Sequence, residues 1–129
     1  MITYGFTKES KLPFEDAIER VTQELQKEGF GVLTSIDMKV KFREKLNIDF
    51  NKYVILGACN PPLAYESLSV EEDVGLLLPC NVIVYDRDGT TIVSIIKPTA
   101  GMGMIENRAL REIAEKVEAK LKRVIEAIK

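Results

Sequence analysis

The sequence predicts an α+β domain whose sheet is mainly antiparallel and carries two main helices on one face. Two observations support this prediction. Asp88 and Gly89 separate two apolar runs, which is a strong hairpin signal and joins two strands with no helix between them. The chain also ends in its most regular segment, an amphipathic helix predicted over 105–128. A doubly wound parallel sheet would instead require a helix after every strand.

The first half of the chain alternates strand and helix patterns. Ile2, Tyr4 and Phe6 alternate with small or polar residues, which indicates a strand. Pro13 suits the first turn of a helix, and Asp37 is expected to cap a second, shorter one. The predicted elements are a strand over 1–7, a helix from 13 to 29, a strand over 30–36 and a helix over 38–46.

The second half contains three further strands and an irregular helical excursion. Asn60, followed by two prolines, is typical of a strand end and a helix start. Ser69 and Glu72 have the spacing of a capping box, and Pro79 is expected to stop the turn that follows. The predicted elements are a strand over 53–59, helical turns over 61–68 and 70–77, strands over 80–85 and 90–96, and the final helix.

Both faces of the predicted sheet are apolar. In the hairpin, Val82 and Val84 lie on one face, and Ile83 and Tyr85 lie on the other. An antiparallel sheet with one solvated face normally alternates apolar and polar residues, so a second apolar face implies another layer, a ligand cavity or a partner subunit. A chain of 129 residues has few left to form another layer. We therefore expect a homodimer, with face-to-face packing of the sheets as one candidate arrangement.

Composition disfavours several classes of function. The 18 Lys and Arg residues against 20 Asp and Glu leave a net charge of -2, which disfavours a nucleic-acid partner. The chain has no His, which removes Ser-His-Asp triads, Cys-His dyads and imidazole zinc sites. No apolar run approaches the roughly 20 residues of a membrane helix, and the first residues lack a secretory pattern. We expect a cytoplasmic protein that binds neither nucleic acid nor membrane.

Two cysteines mark the place where the sequence suggests chemistry. Cys59 ends the third predicted strand directly before Asn60, and the N-terminus of the following helix would lower the pKa of its thiol. Cys80 begins the next strand. Antiparallel strands would bring the two thiols to the same end of the sheet, whereas a parallel crossover would separate them. The alternative is a pair of buried free thiols without a chemical role.

Several segments together resemble the DUF302 family of unknown function. The most specific are 55–61, which reads ILGACNP, and 75–82, which reads GLLLPCNV; Asp88-Gly89, Lys97-Pro98 and 29–34 agree as well. The resemblance covers nearly the whole chain. It implies a single domain over 1–129 with a strand-helix-four strand-helix plan similar to TATA-binding-protein-like folds, and it implies dimers. It implies no activity.

Three functional hypotheses remain open. In the first, a pocket between the long helix and the concave sheet binds a small molecule, with Asn60 and Asn81 as polar anchors. Asn60 is equally well explained as a helix cap, and Asn81 as a turn or strand-end residue. In the second, Cys59 and Cys80 form a thiol or persulfide site. In the third, an enzyme uses Cys59 as a nucleophile without His.

Methionines extend the second hypothesis to a soft-metal site. Met102 and Met104 flank Gly103 in the loop before the last helix, and sulfur ligands select copper(I) or zinc. Methionines near a sheet more often fill gaps in a core. We expect a small-ligand-binding homodimer rather than an enzyme, and we assign no catalytic residue, metal ligand set or cofactor. The candidate ligand-binding residues are Cys59, Asn60, Cys80, Asn81, Met102 and Met104.

Overall fold

The computed structural model describes residues 2–129, which form one sheet with helices packed against it. The strands are β1 (Gly5–Ser10), β2 (Gly31–Asp37), β3 (Tyr53–Cys59), β4 (Cys80–Arg87) and β5 (Thr90–Ile96). The helices are α1 (Phe14–Lys27), α2 (Met38–Leu46), α3 (Pro61–Val70), α4 (Pro98–Met102) and α5 (Arg108–Ala127), and a 3₁₀ helix covers Glu72–Leu77. The five strands lie in the order β1-β5-β4-β3-β2, and all neighbours are antiparallel. The predicted α+β class is confirmed.

The main core lies between one face of the sheet and the helices α1 and α5. Val82 and Val84 of β4 are fully buried there, whereas Ile83 and Tyr85 on the other face are only half-buried. This is the alternation expected of a pleated strand. The core also contains three buried residues of α1, five of α5 and the adjoining Ile128, namely Ala17, Val21, Leu25, Ile113, Val117, Leu121, Val124, Ile125 and Ile128.

Local signals set most of the element boundaries. The side chain of Asp37 accepts a hydrogen bond from the Val40 N–H at 3.1 Å and so caps α2. Asp88 and Gly89 have φ angles of 51° and 88°, the left-handed values that a tight hairpin between β4 and β5 requires. The helix over 38–46 and the strands over 53–59 and 90–96 have the predicted bounds.

The first strand lies further along the chain than the periodicity predicts. It covers Gly5–Ser10 instead of 1–7, because its register with β5 runs from Gly5 opposite Ile96 to Ser10 opposite Thr91. Pairing with a partner strand, which is remote in sequence, therefore decides its bounds. Met1 of the predicted strand lies outside the described residues.

The helical excursion between β3 and β4 also differs from the prediction. The capping box is wrong, because α3 continues past Ser69 and the Ser69 hydroxyl donates to the Tyr65 carbonyl at 2.7 Å within the same helix. The following turn is a 3₁₀ helix that starts at Glu72. The loop with Gly101 and Gly103 begins as the short helix α4, in which Thr99 donates its N–H and hydroxyl to the Glu118 carboxylate at 3.1 and 2.6 Å. The final helix starts at Arg108, and Ala109 is exposed rather than part of its buried stripe.

The second face of the sheet carries apolar and aromatic side chains that no helix of the core covers. Tyr53 and Tyr85 stack with ring centroids 5.3 Å apart, and Phe50 and Phe42 extend this aromatic row toward α2. Burial raises the pKa of the Tyr53 phenol, and the neighbouring Tyr85 and Tyr4 raise it further. We call this surface, with Ile55 and Ile83, the open face; Ile92 of β5 lies on the same side of the sheet but is buried within the chain. These apolar residues agree with the sequence prediction that both faces of the sheet are apolar.

Candidate apolar cavity and its sulfur wall

An apolar cavity of about 300 Å³ lies where β3 ends and β4 begins. The sheet forms one wall, α3 and the 3₁₀ segment form another, and Ala114 and Val117 of α5 contribute from the core side. No lysine, arginine, aspartate or glutamate lines it. The lining residues are Phe30, Leu33, Ala58, Cys59, Asn60, Leu63, Ala64, Ser67, Leu68, Gly75, Leu78, Pro79, Cys80, Met102, Ala114 and Val117.

The polar oxygen and nitrogen atoms in this lining are already bonded to the protein. Asn60 accepts from the Leu63 N–H through Oδ1 and donates from Nδ2 to the Glu28 carbonyl, both at 3.2 Å. It therefore caps α3 and ties it to the end of α1. Ser67 donates its hydroxyl to the Leu63 carbonyl at 2.8 Å. The oxygen and nitrogen atoms of both side chains thus stabilise the wall.

Both cysteines border the cavity because β3 and β4 are antiparallel neighbours. Cys80 lies opposite Ala58 in the register, and Cys59 is the next residue, at the last position of β3. Cys80 is buried, Cys59 is half-buried, and both thiols are free. The antiparallel connection, on which the proximity of the two cysteines depended, is therefore present. Cys59 pairs with Gly31 as the last residue of β3, so the pleat places its side chain on the opposite face of the sheet from those of Ala58 and Cys80.

Burial, and to a smaller extent a charge on Cys59, raises the pKa of the Cys80 thiol to about 11. Cys80 is therefore a neutral thiol at physiological pH. Among residues 2–129 it has no hydrogen-bond partner, although it is only 7% exposed. A free cysteine is among the most frequently buried residues and packs as a small hydrophobic group.

The two methionines of the sequence hypothesis lie in different environments. Met102, in α4, is buried and lines both this cavity and a neighbouring one of about 260 Å³. Met104 is 76% exposed and lies outside the lining of both cavities. Asn81 lines the neighbouring cavity and not the apolar one. Of the six candidate residues, the structure brings together Cys59, Asn60, Cys80 and Met102.

The residues contributed by α3 were not anticipated as cavity lining. Leu63, Ala64, Ser67 and Leu68 repeat at helical spacing, a pattern that indicates a buried helix face but not what the face covers. The predicted pocket lay between the long helix and the concave sheet. The cavity lies at the end of that space, beneath the excursion that joins β3 to β4.

Two further findings concern metal ligands and membrane-spanning helices. Within the part of the chain that the structure describes, no group of three or more Cys, Asp or Glu side chains is arranged to hold a metal ion. None of the helices over residues 2–129 is long and apolar enough to cross a lipid bilayer.

Comparison with known proteins identifies the family. The family model described as "Domain of unknown function DUF302" matches residues 6–128. An uncharacterised conserved DUF302 protein from Bacillus stearothermophilus has a crystal structure that is 36% identical in sequence and superposes with a TM-score of 0.93. The match covers 99% of this chain and 100% of that one. None of the curated proteins compared with this chain matches it. The fold and the length of the match agree, and the chain belongs to the DUF302 family.

Proposed function

We propose that this protein is a homodimeric binding module whose cavity takes a small, uncharged and mainly apolar molecule. The observation that carries the proposal is the cavity of about 300 Å³ at the β3–β4 end of the sheet. Ligand pockets in proteins range from about 300 to 1,000 Å³ and are lined mainly by hydrophobic side chains. The cavity is at the lower end of this range, so it suits a compact molecule.

The small number of polar side chains in the lining, each already hydrogen-bonded within the protein, supports an apolar ligand. The amide of Asn60 and the hydroxyl of Ser67 are both used within the protein. A charged ligand would lose its hydration in this cavity without gaining a partner, which costs several kcal/mol. An apolar ligand has no such cost, and the apolar area that it buries contributes roughly 25 cal/mol per Å².

A fluorescent probe tests the binding function. N-phenylnaphthylamine is neutral and fluoresces in apolar surroundings, and the chain contains no Trp to interfere with its emission. We expect saturable binding to the wild type and a loss of at least about tenfold in affinity for Ala64→Phe, which fills the cavity; tenfold corresponds to about 1.4 kcal/mol. Ala119→Phe, on an exposed position of α5, is the matched control and should bind as the wild type does.

The anionic analogue anilinonaphthalene sulfonate distinguishes the cavity from nonspecific apolar surface. It should bind more weakly than the neutral probe, because the cavity lining contains no cation. The proposal would be contradicted if Ala64→Phe and Ala119→Phe lost N-phenylnaphthylamine binding equally, or if the wild type showed no saturable binding.

The homodimer is supported by a separate observation, the lack of burial along one side of the sheet. No residue of β2 or α2 is buried within this chain, although Ile36, Val40 and Leu46 are large and apolar. Next to them, the open face presents isoleucines and the stacked pair of Tyr53 and Tyr85. Aromatic residues are enriched in protein interfaces, and contiguous exposed apolar patches usually mark them.

The size of the open face suits a second copy of the chain. Five strands at about 4.8 Å spacing and about 3.3 Å per residue give roughly 550 Å² for the whole face of the sheet. The part over Ile92 and Ser94 of β5 is already buried within the chain, and the apolar residues of α2 add to the rest. Stable interfaces bury about 800 Å² on each partner. Sedimentation velocity at micromolar concentration should show twice the chain mass of 14.5 kDa. A monomer over the whole concentration range would remove this part of the proposal.

A further inference from the structure

We propose that the apolar cavity and its neighbour of about 260 Å³ are two halves of one elongated site, whose ligand is a straight-chain molecule with an uncharged polar head. The neighbouring cavity, called the second cavity below, lies between the 3₁₀ segment, the start of β4 and α4. This inference rests on the proposed binding of an apolar molecule and specifies that the molecule extends beyond the apolar cavity.

The two cavities share one wall. Four residues line both of them, namely the consecutive Leu78, Pro79 and Cys80 and the buried Met102 of α4. The cavities are therefore adjacent across this wall. Joined, they offer nearly twice the volume of the apolar cavity.

Met102 is the part of this wall that moves most easily. It packs with Val74, Leu110 and Ala114, and Leu77 lies against this small cluster. Ala114 lines the apolar cavity and Leu77 lines the second one, so Met102 lies between residues of the two cavities. Its unbranched side chain has three rotatable bonds and adapts to irregular space. A rotation of Met102 therefore joins the cavities without movement of the backbone.

The two cavities differ in polarity. In the apolar cavity, the side chains of Asn60 and Ser67 are bonded within the protein. The second cavity is lined by Asn81, which is exposed and whose amide makes no hydrogen bond to the protein within residues 2–129. No lysine, arginine, aspartate or glutamate lines this cavity. A hydroxyl head group matches the Asn81 amide, which both donates and accepts, whereas a charged head group would find no counter-ion there.

The volume of the apolar cavity sets the length of chain that it holds. A methylene group occupies about as much space as a water molecule, roughly 30 Å³, so a cavity of about 300 Å³ holds a chain of about ten carbons. A longer chain must extend past Met102 into the second cavity. Each further methylene that is buried there raises the affinity about fourfold.

Straight-chain alcohols that displace N-phenylnaphthylamine from the full chain test the elongated site. For the wild type, we expect the affinity to rise about fourfold per methylene from n-octanol to n-tetradecanol, without a break near n-decanol.

Gly101→Leu fills the second cavity alone. Gly101 lines that cavity and not the apolar one, and a Cβ there would contact the δ-methyl groups of Leu77 at 3.9 Å, an ordinary van der Waals distance. In this variant N-phenylnaphthylamine and n-octanol should bind as they do to the wild type. The rise in affinity should stop near n-decanol, so n-tetradecanol should lose at least about 50-fold.

Ala100→Leu is the matched control, because it adds the same side chain at the exposed neighbouring position of α4, which lines neither cavity. It should keep the chain-length dependence of the wild type. Asn81→Ala should weaken n-tetradecanol binding about fivefold, through loss of the hydrogen bond to the hydroxyl, and leave N-phenylnaphthylamine binding unchanged.

An affinity that levels off near n-decanol in the wild type would overturn the elongated site, and so would equal losses of n-octanol and n-tetradecanol binding in Gly101→Leu. Equal affinities for n-tetradecanol and the tetradecanoate anion would overturn the uncharged head group. Far-ultraviolet circular dichroism establishes that each variant is folded, and the wild-type series decides the question if Gly101→Leu does not fold. All these results leave N-phenylnaphthylamine binding to the wild type intact, whereas its absence removes the proposed function, so the two failures are distinguishable.

Discussion

Gly57 shows how closely the backbone of β3 is packed at the open face. A Cβ at this position would overlap Thr34 Oγ1 and lie 2.8 Å from Pro79 Cγ. The threonine hydroxyl can rotate away, but the proline ring is rigid. The ILGACNP segment therefore contains a glycine because of close approach between neighbouring elements.

Gly57→Ala should accordingly lower the free energy of unfolding by about 1–3 kcal/mol, the usual cost of overpacking. Urea unfolding measures the change. Gly31→Ala is the matched control, because a Cβ there meets nothing within 4 Å and its φ is not positive. An equal loss of stability in both variants would mean that strand propensity, and not the contact with Pro79, explains Gly57.

The Cys80 thiol predicts a specific loss of stability at alkaline pH. An unfolded cysteine loses its proton near its ordinary pKa of 9.0, whereas folded Cys80 keeps the proton to about 11. Above pH 9 the unfolded state binds fewer protons, so the free energy of unfolding falls as pH rises. The contribution of Cys80 to the free energy of unfolding is fully present below pH 9. It is lost as the pH rises to 11, and a shift of two pKa units corresponds to about 3 kcal/mol.

Urea unfolding below pH 9 and near pH 11 measures this effect. Cys80→Ala should flatten the decline relative to the wild type, while Cys59→Ala should keep most of it because the Cys80 shift arises chiefly from burial. An unchanged slope in Cys80→Ala would show that other groups cause the alkaline loss.

At the level of helices, the strongest sequence signals are the caps. Asn60 and Asp37 cap α3 and α2 as predicted. Asn107 was not anticipated, although it caps α5 by accepting from the Leu110 N–H at 3.1 Å. It also donates to the Val70 carbonyl and the Glu71 carboxylate at 2.8 and 3.1 Å, and so holds the end of α3. This contact joins segments 36 residues apart, which no local pattern records.

Asn107→Ala should lower the free energy of unfolding by about 1–2 kcal/mol through loss of the cap and of the contact with α3. Thermal unfolding followed by circular dichroism measures the change. Asn81→Ala, at an exposed residue, provides the control and should change stability little. Equal losses of stability in Asn107→Ala and Asn81→Ala would show that the hydrogen bonds of Asn107 do not stabilise the fold.

The arrangement of whole chains depends on the open face. Ile83 lies on the central strand β4 and is only half-buried within one chain. In the proposed homodimer it would be desolvated, and a charge there would have no partner. We therefore expect Ile83→Lys to convert the dimer to a folded monomer, with a mass in solution near 14.5 kDa.

Light scattering coupled to size exclusion checks this mass, and circular dichroism checks the fold. Gln23→Lys, at an exposed position of α1, introduces the same charge away from the open face and should leave the dimer intact. A dimer that persists in Ile83→Lys would place the interface elsewhere.

The sequence predicted those features of the fold that depend on neighbouring residues. Alternation within β3 and β4, the left-handed turn at Asp88 and Gly89, and the caps are local properties of the chain. The bounds of β1 and the 3₁₀ helix were not predicted correctly, because both depend on contacts with distant segments. The same holds for the site: Cys59 and Cys80 could be named from the sequence, but their proximity depended on the direction of β4.

Local periodicity and composition thus determined the class of fold, the two apolar faces of the sheet and the absence of imidazole chemistry. Tertiary packing alone decided the strand order, the cavity beneath α3, and which methionine lines the same cavity as the cysteines. Met102 and Met104 are two residues apart and chemically identical, yet one is buried at the cavity and the other is exposed. The physical reason is that side-chain burial depends on contacts between elements far apart in the chain, and these form only when the sheet and helices pack together.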